Sequence, residues 1–98
     1  MEKNDQLLMQ LIYMFHTSAM QGLGEIADPT GKVNRNLEYV SQTIDLMEML
    51  KVKTNGNVTD EIEKVLDEML SELRLYYSDE KANSDYKVDE ETKNEDDE

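Results

Sequence analysis

Three stretches of the chain repeat apolar side chains every three to four residues, and none alternates them with the two-residue period of a strand. That pattern confines the chain to helices packed on helices. The first stretch spans about residues 5–23 and stops at Gly22-Leu23-Gly24, where glycine supplies left-handed backbone. In the connection that follows, Asp28-Pro29-Thr30-Gly31 places proline second and glycine fourth in a chain reversal. Asn34 or Asn36 can cap the second helix, which continues to about Thr54, and Asn55-Gly56-Asn57 then ends it. Thr59 caps the third helix, Asp60 and Glu61 complement its positive N-terminal end, and its periodicity runs to about Tyr77.

Charge divides the chain in two. The 98 residues hold 10 Lys and Arg against 23 Asp and Glu, a net −13. Residues 79–98 carry ten acids and three lysines, a net −7, with Tyr86 and Val88 as the only sizeable apolar side chains. So little burial cannot offset the entropy of ordering the segment. The reading is an all-α chain: a small three-helix domain over 1–78, then a disordered acidic tail over 79–98. A folded part of about 75 residues is near the lower size at which one core suffices.

The helix faces differ in width. Apolar residues of the third helix fall within an arc of roughly 140°, an ordinary one-sided pattern, and those of the second cover roughly 180°. The first is apolar over roughly 260°, leaving Gln10, Thr17 and Gln21 as its main polar strip. Two neighbouring helices cover only about half a circumference, and soluble monomers seldom keep a large apolar patch in water. Self-association through the first helix is the economical answer, with a symmetric dimer favoured because it is the commonest closed oligomer. Met9, Tyr13 and Met20 share one line on this helix, away from the Leu11/Phe15 face assigned to the intrachain core. They are the candidate self-association surface. The bland alternative is a monomer whose Met and Tyr residues stay half exposed.

Several segments resemble a known family. Thr43-Ile44-Asp45-Leu46-Met47-Glu48-Met49-Leu50, then Lys53-Thr54-Asn55-Gly56-Asn57-Val58-Thr59, then Leu73-Arg74-Leu75-Tyr76-Tyr77, are similar to the bacterial family catalogued as domain of unknown function 1844. Leu23-Gly24-Glu25-Ile26 with Asp28-Pro29-Thr30-Gly31 looks like that family's first connection. The similarity covers about residues 5–77 and omits the tail. It implies a small helical bacterial protein and brings no activity, ligand or catalytic residue.

Composition narrows the function classes. The acidic balance argues against a nucleic-acid partner, because a phosphate backbone is held chiefly by clustered cations. Zero Cys excludes a disulfide framework, a thiolate zinc site and a cysteine nucleophile. His16 lies inside the wide apolar arc with Thr17 and Ser18 beside it, and no neighbour supplies both an orienting partner and a nucleophile. Asp45 and the asparagines at 55 and 57 lack the spacing of a calcium loop. Gly22-x-Gly24 follows a helix and has no third glycine or lysine, so it makes no phosphate loop. The seven methionines suit an adaptable groove, although filling a core is their commoner role. No cofactor, metal or catalytic residue is expected.

Leu7 to Phe15 superficially resembles the apolar part of a signal peptide, but Glu2, Lys3 and Asp5 precede it and no small-residue cleavage site follows. The chain reads as cytoplasmic. Its first helix lacks the Lys and Arg that surface-lying membrane helices carry, which ranks a membrane-surface protein below a homo-oligomeric interaction module. An enzyme ranks lower still. An unidentified protein is the remaining candidate partner.

Overall fold

The computed structural model describes residues 2–97, with side chains over 2–83. Three helices form it: α1 (Lys3–Leu23), α2 (Leu37–Thr54) and α3 (Asp60–Asp97). No strand occurs among the described residues. Each helix touches the other two.

The turn chemistry works as its residue types dictate. Gly24 closes α1 at φ 83°, and its N–H donates to the Gln21 carbonyl. In the first connection the Gly31 N–H donates to the Asp28 carbonyl at 2.9 Å, closing the turn that Pro29 begins. Asn36, not Asn34, caps α2: its Oδ1 accepts from the Tyr39 N–H at 3.0 Å. The Thr59 hydroxyl oxygen accepts from the Ile62 N–H at 3.3 Å and begins α3. Of the Asn55-Gly56-Asn57 stop signal, only Gly56 takes positive φ.

One buried stripe per helix makes the core. Ile12, Ala19 and Leu23 supply it from α1, Val40, Ile44 and Met47 from α2, and Ile62, Leu66, Leu70 and Leu73 from α3. Thr43 is buried with them and donates its hydroxyl to the Tyr39 carbonyl at 2.9 Å, so no polar group there is orphaned. Phe15 packs partly buried against the cluster. Leu11 does not: it is 38% exposed, which corrects its assignment to the intrachain core. The stripe centres on Ile12 and Ala19, and at about 100° per residue Leu11 is turned to the edge of the helix.

Contacts between helices fix an up-down-up arrangement. The end of α1 meets the start of α2, where a Cβ on Gly22 would lie 2.7 Å from Val40 Cγ2 and 3.5 Å from Tyr39 Cδ2. Between α2 and α3, Lys51 pairs with Asp67 at 2.6 Å and Arg74 Nε donates to Glu48 at 3.0 Å. Arg74 is therefore an interhelical partner in mid-helix. α3 runs alongside α1 in the same direction, with Glu72 opposite His16 and Glu80 beside the end of α1.

The third helix passes its expected stop at Tyr77. Residues 79–83 are helical, and Arg35 accounts for the hold on them: its guanidinium pairs with the Glu80 carboxylate at 2.8 Å and donates to the Glu80 carbonyl at 3.1 Å. The expected disordered tail over 79–98 is thus corrected at 79–83, and its remainder, 84–98, lies outside the fully described part of the chain.

Candidate interaction surface

Residues 6–24 contain no Asp, Glu, Lys or Arg, although 34% of the whole chain is charged. All of that interval except Gly24 belongs to α1. With Ile12 pointing into the core, about 100° per residue turns Leu11 and Tyr13 toward opposite edges and Met14 outward. Two contacts say which edge is which. Gly22, on the same row as Leu11, abuts Val40 of α2. His16, on the side of Tyr13, reaches Glu72 of α3, with Nε2 3.4 Å from Oε1.

The α3-side edge carries the residues expected to associate. Tyr13 is 49% exposed. Met9 and Met20 are partly buried and pack against the protein's own core. Their line thus divides into one exposed aromatic and two core-edge methionines. Beside them an open groove of about 640 Å³ is lined by α1 residues alone, among them Gln6, Gln10, Tyr13, Met14 and Thr17.

The α2-side edge is more apolar, and the sequence reading passed over it. Leu7, Leu11 and Met14 are 51%, 38% and 60% exposed. Tyr39 and Leu46, 44% exposed each, stand on the α1-facing flank of α2. They lie two turns apart, and pairing Gly22 with Tyr39 in antiparallel helices sets Leu46 beside Phe15, between Leu11 and Ser18. Five exposed apolar side chains from two helices therefore form one strip. On α2 the opposite flank bears Glu48, engaged by Arg74, so this carboxylate stays away from the strip. The signal that could have found it is the absence of charge, which marks a face even when its hydropathy is mixed.

Outside this surface little chemistry gathers. Among the described residues no group of three His, Cys, Asp or Glu side chains is arranged to hold a metal. No described helix is long and apolar enough to cross a membrane. Asp28 organises the first connection: its Oδ1 accepts from the Thr30 hydroxyl at 2.6 Å, the Thr30 N–H at 2.9 Å and the Lys32 N–H at 3.0 Å. The Thr30 hydroxyl, then the Lys32 N–H, hold its carboxyl below the usual carboxylate value. All three donors are local, and the cluster serves the turn.

Fold and surface together define a small three-helix bundle whose first helix is free of Asp, Glu, Lys and Arg from residue 6 onward. Residues 6–79 match the family described as "Domain of unknown function (DUF1844)", and the chain belongs to that family. No curated protein and no solved structure matches the chain.

Proposed function

We propose that the chain is a homo-oligomeric protein-interaction module, a symmetric dimer in its simplest form, whose contact surface is the outer face of α1. The observation that carries this reading is the charge-free interval 6–24 on a chain of net −13, with Leu7, Leu11, Tyr13 and Met14 exposed upon it. Surface of that composition is depleted in the charges that keep a helix face in water, as the cores of protein interfaces are. The acidic C-terminal segment acts as a solubilising arm. The module works in the cytoplasm and is not an enzyme. A lipid surface is a poorer occupant, because Lys3 is the one Lys or Arg that α1 offers to anionic headgroups.

Sedimentation velocity tests the proposal. The wild-type chain is expected to sediment as a dimer at micromolar concentration. Leu11→Glu with Met14→Glu places carboxylates on side chains exposed in the single chain, so the variant should remain helical and sediment as a monomer. A wild-type chain that stays monomeric at high micromolar concentration would defeat the reading.

A further inference from the structure

The strip has a direction, and the direction selects how a second copy seats on it. On α1 the bulky exposed side chains Leu7, Leu11 and Met14 occupy the N-terminal two thirds. Further along the same edge Gly22 is buried against α2, so α1 offers only the small, half-buried Ser18, and there Tyr39 and Leu46 of α2 come to the surface. One half of the strip is thus a row of knobs on α1, and the other is a shallow floor walled by α2.

We infer that two copies join through antiparallel α1 helices, each setting Leu7 and Leu11 over the partner's Ser18 and against its α2 wall of Tyr39 and Leu46. This rests on the proposed self-association and adds its geometry. A parallel pair would oppose knobs to knobs at one end and leave the two copies of Ser18 facing each other at the other. Unfilled space of that kind forfeits contact on both sides. In the antiparallel pair Met14 lies near the two-fold axis, and the contact is self-complementary, as a two-fold interface must be.

Charge favours the same arrangement independently. Because α3 runs parallel to α1, the net −7 of residues 79–98 leaves each bundle from the end at which α1 finishes. Parallel pairing would set two such segments side by side. Antiparallel pairing sends them from opposite ends of α1, which at 21 residues is about 31 Å long and several times the roughly 8–10 Å over which salt screens charge. α1 itself adds no repulsion across the contact, since residues 6–24 carry no carboxylate.

The absence of native Cys allows a direct test. Leu11→Cys and Ser18→Cys are prepared as separate variants, mixed and oxidised. The antiparallel register brings positions 11 and 18 of different copies together on the α2 side. Disulfides between the two variants should therefore exceed those within either variant several-fold. Predominant self-crosslinking, or a merely statistical mixture, in a protein that sediments as a dimer would overturn the orientation and leave self-association standing. Failure to sediment as a dimer would remove both.

A second measurement avoids the contact altogether. Spin labels on Lys3→Cys, an exposed site at the start of α1, should lie on the order of 33 Å apart in the antiparallel dimer, from 1.5 Å of rise per residue about Met14. Labels within about 15 Å of one another, as paired helix axes 8–10 Å apart would place them, would mean parallel packing.

Discussion

Helices α1 and α3 bury comparable aliphatic stripes but show water different faces. α3 sets Leu66, Leu70 and Leu73 into the core and surrounds them with Glu63, Lys64, Glu68, Glu72 and Arg74. Among its described side chains the one large exposed apolar residue is Leu75, 61% exposed. α1 sets Ile12, Ala19 and Leu23 into the same core, yet from residue 6 onward it places Gln, Thr, Ser, Leu, Met and Tyr opposite them without Asp, Glu, Lys or Arg. A buried stripe is a requirement of folding and is common to both helices. What the free face carries is a separate choice, and only that face distinguishes a helix meant for water from one meant for a neighbour.

The comparison breaks most sharply at neighbouring leucines of α3. Leu73→Ala empties a fully buried site and should cost about 2–5 kcal/mol, enough to unfold much of a bundle this small. Leu75→Ala, two residues on, should stay within about 0.5 kcal/mol. Urea unfolding followed by circular dichroism reads both, and equal losses would mean that the exposed face of α3 is also covered.

Next in size is the α1–α2 contact. Gly22→Ala would place a methyl 2.7 Å from Val40 Cγ2 and 3.3 Å from the Asn36 carbonyl, and the carbonyl belongs to a capped backbone that yields little. A loss of about 1–3 kcal/mol is expected from overpacking, again by urea midpoint. An unchanged midpoint would show that the two helices can separate freely and would undo the α2 wall on which the antiparallel contact relies.

Smaller effects belong to the charged side. Arg74→Met removes the pair with Glu48, both half exposed, and should cost no more than about 1 kcal/mol, less at high salt. Measuring the midpoint at low and high salt checks this, and a large salt-independent loss would refute a surface role. The smallest effect lies in the first connection. The carboxyl of Asp28 titrates lower in the folded chain than its ordinary 3.8, so its stabilisation is full above that pH and fades as pH falls through the lowered value. The difference in urea midpoint between wild type and Asp28→Asn should shrink below pH 3.8 and stay constant above it. A difference that grows on acidification would reverse the sign of the argument.

Helix number, the Asn36 and Thr59 caps and the Gly24 stop were legible because each depends on residues within a few positions of one another. Arg35 was not. Its partner Glu80 is 45 positions away, and nothing local in either segment announces that the connection clamps the last helix past Tyr77. Leu11 was misjudged for a related reason. An arc of roughly 260° has no unique centre, so periodicity could not choose between a core centred on Leu11 and Phe15 and one centred on Ile12 and Ala19.

By itself, then, the sequence determined that this chain would be three helices with turns at 24–36 and 55–59, and that its first helix would be too apolar for two neighbours to cover. Tertiary structure decided which edge of that helix is left outside. Gly22 had to come within contact of Val40 and His16 within reach of Glu72 before Leu7, Leu11 and Met14 could be aligned with Tyr39 and Leu46. The physical reason is that a helix's own hydrogen bonds and caps are local, whereas its rotation about its axis is set only by the side chains it meets.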